Sequence, residues 1–264
     1  LSGARFPLPA TAGLQVKGDA LGFFVQGLQV LRRRSDLKRL LVFQAAFAFL
    51  SGMLSPLLIP LFTGLTSVQG MGLVLTVAGG GFLLGSLLLS LRGGRWSYHA
   101  TIVVGSGLFG LALVAAGLVP NIAWVGAFAF VAHFIVPWVN GSSQALWQSQ
   151  VDDSVQGRLQ AVRQVVTRGL QPLALIVAGL AADQIFEPAL VAGGSLVHSV
   201  GGLIGVGPGR GAGLLVACIG AATALLSLSY GLGRGHPPSI SQPRLVSEAL
   251  RGIAVAESTE SAHH

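Results

Sequence analysis

Polar residues are so sparse along this chain that they, and not the apolar ones, punctuate it. Six long apolar runs stand between them, at residues 40–62, 71–91, 101–119, 122–148, 159–182 and 213–232. Each is close to the ~20 residues with which an α-helix crosses a hydrocarbon core. The in-out alternation of a barrel strand is missing. Only helices and closed barrels satisfy their backbone groups in lipid, so all six runs read as helices. The pattern predicts an all-α integral membrane protein with six transmembrane helices. Composition agrees: 9% of the residues are charged and 52% hydrophobic, whereas roughly 25% are charged in soluble domains.

Outside the runs, residues 1–39 read as a cytoplasmic linker. Its last part, residues 20–39, spaces Leu21, Phe24, Val25, Leu28 and Leu31 helically. That fits an amphipathic helix at a membrane surface or a plain linker helix with a solvated basic end. Residues 233–264 are polar and predict a disordered tail. The connection 184–212 is long and Gly-rich. Its GPGRG stretch suits a tight surface turn better than an anion nest, and His198 fits an interfacial position.

Charge orients the runs. All but Arg210 of the 16 Lys and Arg residues fall in the N-terminal segment, the second-to-third loop, the fourth-to-fifth turn region with the first part of the fifth run, or the tail. With six crossings these segments share one side. The positive-inside rule then makes both termini cytoplasmic. The net charge of +7 does not point to nucleic acid, because the basic residues form no continuous face with interleaved aromatics. The single cysteine, Cys218, excludes a disulfide framework and a cysteine-ligated metal site. No cleavable leader is legible at the start. The first residue is Leu1 and not Met, which suggests a part of something longer.

The runs differ in polarity. The third and sixth carry almost no polar side chains and are expected to face lipid. The second holds Gly79, Gly80, Gly81 and Gly85, small residues that let helices approach closely. The first and fourth are interrupted by proline: Pro56 and Pro60 in one, Pro137 in the other. They occupy matching positions if the six helices are two three-helix repeats. Interrupted segments at matching positions point to a transporter's binding site. The first offers Gln44, Ser51 and Ser55; the fourth offers His133, Asn140 and Gln144 along one face. Trp138 and Trp147 are candidates for stacking on a flat ligand, and Trp147 equally for an interfacial anchor. In the fifth, Gln160, Gln164, Arg168 and Gln171 share a helical face. Such a stripe is costly against lipid. Gln164, Arg168 and Gln171 are therefore candidates for a substrate pathway, and Gln160 and Arg163 for headgroup level. The alternative is an arginine that snorkels while the amides join neighbouring helices.

None of the 9 carboxylates falls in the middle of a run; Asp183 comes closest. A proton carrier within this chain would have to be His133, unless that histidine is simply hydrogen-bonded inside the bundle. Asp152, Asp153 and Arg158 read as a charged cluster that caps the fifth helix and latches its cytoplasmic end. No metalloprotease, nucleophile-elbow or phosphate-loop spacing occurs, so neither catalysis nor a cofactor or metal is expected.

The run NGSSQALWQSQV, then GRLQAVRQ and QPLALIVAGLAADQIFEP, followed by GVGPGRGAGL, resembles the C-terminal half of major facilitator superfamily transporters. It is most similar to their macrolide-efflux and enterobactin-exporter-like branch. The resemblance covers roughly residues 32–232. It implies half of a twelve-helix fold, alternating access and export of small amphipathic molecules across the plasma or inner membrane. The implied partners are the lipid bilayer, an N-terminal transporter half on the same or a separate chain, a small-molecule substrate and, for coupling, protons. It also implies that the first and fourth helices line a central cavity, that the second and fifth contact the other half, and that the third and sixth face lipid. Gly85, Gly94 and Arg95 match the family's second-to-third loop and put Arg95 at a cytoplasmic gate. The acid expected in that loop is here Leu or Ser. The readings that compete with a transporter are a non-transporting membrane module and a decayed transporter fragment.

Overall fold

The structure is a computed structural model. It describes residues 27–29, 31, 34–92, 96–151, 153–190, 194, 201–205 and 207–233. The expected amphipathic helix and polar tail lie almost wholly outside the described residues, which all belong to the unit ending at Leu232 except Gly233. Helices and no strands occur among them. Six of the helices are long and apolar enough to cross a membrane: Ser35–Thr63, Val68–Arg92, Tyr98–Leu118, Ile122–Ser149, Val155–Leu190 and Arg210–Leu232.

Two of the six are interrupted, the first and the fifth; the expected interruption of the fourth is absent, because Ile122–Ser149 runs on as one helix through Pro137. The first is built of Ser35–Gly52 and Leu54–Thr63 with Met53 between them. Pro56 and Pro60 follow the break. Each lacks the N–H that would bond four residues back, so the ladder fails at this place. Ser51 Oγ donates to the Phe47 carbonyl at 2.7 Å, a bond that bends helices further. The fifth comprises Asp153–Gly169 and Gln171–Ala181, with Pro172 just after the joint at Leu170. A π-helical turn at Ala182–Phe186 and a short helix Glu187–Leu190 continue it.

The helices follow one another round the bundle in the order second, fourth, third, sixth, first, fifth. Exchanging first with fourth, second with fifth and third with sixth returns this order reversed. That is the property of two three-helix repeats related by a two-fold axis. The glycines of the central pair obey it too. Gly110 meets Gly220, where an added Cβ would lie 2.5 Å from the opposite carbonyl oxygen, and Gly117 meets Gly213. The exchange maps one contact onto the other. The numbering runs in opposite directions along this pair. It runs in the same direction along the second and fourth helices, where Gly81 lies on Phe130 and Gly85 on Phe134.

Contacts at the ends agree with alternating directions. At one end Arg39 donates to the carbonyls of Ser229, at 3.2 Å, and Tyr230. Gly27 packs there on Arg158 and Val162, and Arg92 shares a cleft with Trp96 and Trp138. At the other end Gly209 lies on Pro60, and Gly211 on Phe186 and Glu187. The described basic residues at helix ends thus gather at one pole, with Arg210 at the opposite one.

The Gly-rich turn at that opposite pole closes on itself. Gly205, Gly207 and Gly209 have φ of 89°, 140° and 80°, values that only glycine adopts cheaply. Glu187 Oε1 accepts from the Gly209 N–H at 2.9 Å, and Arg210 is buried with Nη1 donating to the Ile204 carbonyl at 3.1 Å. Glu187 Oε1 and Arg210 Nη1 are committed to the turn, while Glu187 Oε2 is buried without a partner. His198 lies outside the described residues.

Burial adds to the expectation for the third and sixth helices. Of the most apolar stretch of each helix, 50% and 56% is buried in the third and sixth, against 22% and 17% in the second and fifth. The two helices with the fewest polar side chains are also the most deeply packed. Glycines bring their backbones together, and only one side of each, with Leu108, Leu111, Leu225 and Leu228, is exposed.

Candidate functional site

A cavity of about 850 Å³ opens between the first, fourth and fifth helices. Phe109, Leu113 and Ala116 of the third helix and Val216 of the sixth form its back wall. The first helix contributes Gln44, Ser51 and Ser55, the fourth His133 and Asn140, and the fifth Gln164, Arg168 and Gln171. Each of these was singled out from its polarity alone. The structure brings them to one space because the broken first helix and the fourth stand across the gap from one another, with the stripe of the fifth closing one flank.

Depth adds to their proximity. At ~1.5 Å per residue, Gln44 lies about 14 Å from the start of its helix at Ser35, and Asn140 about 14 Å from the end of its own at Ser149. Both of those ends belong to the basic pole. Gln164 lies about 16 Å from Asp153 by the same rise. Their distance from the pole is about half the ~30 Å of a hydrocarbon core.

Gln44 is the most informative member. It is only 7% exposed, yet neither its amide nitrogen nor its amide oxygen has a partner. A buried polar atom left unpaired costs roughly 1–3 kcal/mol. Natural interiors rarely keep such groups without a ligand, a water or a role for them. Beside it, Phe43, Phe47 and Phe62 supply apolar wall. His133 Nδ1 lies 2.9 Å from the Ala129 carbonyl. A carbonyl oxygen can only accept, so Nδ1 carries the proton and the ring is oriented by its own helix.

Several positions differ from expectation. Gln144 does not line the cavity. Its Oε1 accepts from Arg163 Nη1, which also donates to Gln160 Oε1 at 3.4 Å. Arg163 and Gln160, assigned to headgroup level by their place near the turn, both border the cavity. Ser143 and Thr167 border it as well and were missed. Ser143 sits within the polar NGSSQ stretch, and Thr167 lies one helical turn beyond Arg163, signals that were available. Trp147 is neither anchor nor stacking platform. It is fully buried beside Leu146, Leu159 and Val162, with the Arg163 guanidinium 5.7 Å from its ring centroid. Trp138 faces Trp96 at 6.1 Å beside a separate cleft of about 210 Å³.

The expected gate falls largely outside the described residues. Arg95 and Asp152 are not described, and Asp153 is described only as the first residue of its helix. Arg158 is half-buried at the basic pole, its backbone against Gly27. Among the described residues no cluster of His, Cys, Asp and Glu could hold a metal.

Chemically, the lining combines amides, hydroxyls and two guanidinium groups with phenylalanine rings. His133 adds an imidazole, bonded to the Ala129 carbonyl. Such a surface suits reversible binding of a molecule with a polar and an apolar part. No family model, no curated protein and no solved structure matches this chain.

Proposed function

We propose that this chain is one half of a secondary active transporter of the major facilitator type, exporting small amphipathic molecules by alternating access. The observation that carries the reading is the cavity between the interrupted first helix and the fourth, helices that the two-fold exchange makes equivalent. Secondary transporters bind substrate at the interface of such repeats, between helices interrupted by Pro or Gly; here the first helix is broken and the fourth carries Pro137 within a continuous helix. An unpartnered buried amide in that cavity supports a ligand there.

In this reading the six helices span the plasma or inner membrane, and the basic pole with both termini lies in the cytoplasm. The second and fifth helices face the N-terminal half, on the same or a separate chain. Two observations support that role for them. They are the least buried of the six, and Gly79, Gly80 and Gly179 have nothing within reach of an added Cβ. Glycine in the middle of a helix costs roughly 0.5–1 kcal/mol relative to alanine, a cost that close approach of another helix explains. His133 is the candidate for proton coupling.

The test is efflux from cells expressing the full-length gene, read with a panel of fluorescent amphipathic compounds. The expected result is lower steady-state accumulation of at least one compound, abolished by collapsing the ion gradient and by Gln44→Ala. Unchanged accumulation across the panel, with the protein present in the membrane, overturns the reading.

A further inference from the structure

The cavity carries charge of one sign. Arg163 and Arg168 both border it, and no Asp or Glu is among the described residues that do. Arg163 spends Nη1 on two glutamine oxygens, which orient the guanidinium without neutralising it. Its Nη2 and Nε are left for another acceptor among the five donors of the group. Arg163 is half-buried and Arg168 is exposed on the cavity flank; a cation without a counter-charge is costly to the extent that it is buried. Beyond the arginines the wall changes character, to Phe43, Phe47, Phe62 and Phe109.

We propose that the substrate of this cavity is an amphipathic organic anion, whose carboxylate, sulfonate or phosphate group supplies the missing counter-charge at Arg163 and Arg168 while its apolar body lies against the phenylalanines. The assignment rests on the transporter reading and narrows it to one class of substrate. Guanidinium groups suit oxyanions because their N–H donors pair with two oxygens in one plane. Gln44 then has a task as well. Its Nε2 donates to an oxygen of the anionic group, which pairs one of its two unpartnered atoms. A cationic amphipath of the same size meets like charge at the same place and is rejected.

A matched pair of dansyl compounds separates the possibilities, one ending in sulfonate and one in trimethylammonium, titrated by fluorescence into the purified full-length protein in nonionic detergent. The expected result is affinity for the sulfonate at least about tenfold above that for the ammonium, in keeping with one charge-assisted contact. Arg168→Gln is expected to remove about tenfold of the sulfonate affinity, and Arg168→Lys to keep most of it. Arg163→Gln repeats the test at the more buried of the two arginines, with thermal unfolding run alongside because Arg163 also packs on Trp147. Equal or tighter binding of the ammonium probe overturns the anion assignment and leaves the transporter reading standing. The same holds for a sulfonate preference that survives both arginine-to-glutamine changes. Binding of neither probe overturns the cavity as a substrate site and the transporter reading with it.

Discussion

The seam between the third and sixth helices and the space between the first and fourth are built from opposite materials. At the seam, glycines let two backbones touch, and the few hydroxyls there bond to main chain: Ser106 to the Ile102 carbonyl, Thr223 to that of Ile219 and Ser227 to that of Val103. Nothing polar is left over. Across the cavity amides, hydroxyls, an imidazole and two guanidinium groups stand among apolar residues, and Gln44 is left wholly unsatisfied. The two-fold exchange maps each region onto itself. The contrast is therefore between an axis where the repeats lock and a gap where they stay apart. The proposed transport cycle calls for both: a seam that holds its shape and a gap with spare hydrogen-bonding capacity.

Breaking the seam should produce the largest effect. Gly110→Leu places a branched side chain where even a Cβ would meet the Gly220 carbonyl oxygen at 2.5 Å. Forced overpacking costs about 1–3 kcal/mol and more where backbone must move, so the variant is expected to lose most folded protein in size-exclusion profiles after detergent extraction. A variant that elutes like the parent would refute the close seam. Gln44→Leu tests the other side of the comparison with the opposite sign. Removing two unpaired polar atoms should leave thermal stability unchanged or raise it, by about 1–3 kcal/mol at most, while efflux falls. A drop in melting temperature would mean that Gln44 is satisfied after all.

Smaller effects sharpen the picture. Gln144→Ala takes the oriented acceptor from Arg163, and the expected loss is about 1 kcal/mol in thermal unfolding, with substrate affinity affected only through the position of Arg163. An affinity loss as large as that of Arg168→Gln would instead make Gln144 a direct ligand contact. The mildest perturbation is a labelling pair. Asn140→Cys and Gln164→Cys, in a Cys218→Ser background, should react with a membrane-impermeant maleimide in membranes opened to the cytoplasmic side. Leu108→Cys and Leu225→Cys, on the outer sides of the third and sixth helices, should not. Faster reaction at the second pair would reverse the assignment of wet and dry surfaces.

The number of long helices, their approximate lengths and the interruption of the first were all set by residues near in sequence. Apolar run length, proline and the spacing of amides are local properties, and they carry through to Ser35–Thr63 and to the polar lining from Gln44 to Gln171. A helical stripe records which residues share a face. It does not record what that face meets. Only the tertiary arrangement decided that Gln144 turns to Arg163 and not to the cavity, that Arg163 borders the cavity and not a headgroup layer, and that Trp147 disappears into packing. The same holds for the third and sixth helices. Their lack of polarity is equally compatible with lipid on every side and with a glycine-lined partner, and the choice rests on contacts between residues such as Gly110 and Gly220 that are far apart in the chain. Long side chains reach a full helical turn, and backbones close only when both partners are small. These outcomes depend on pairs of surfaces, which no single run of sequence contains.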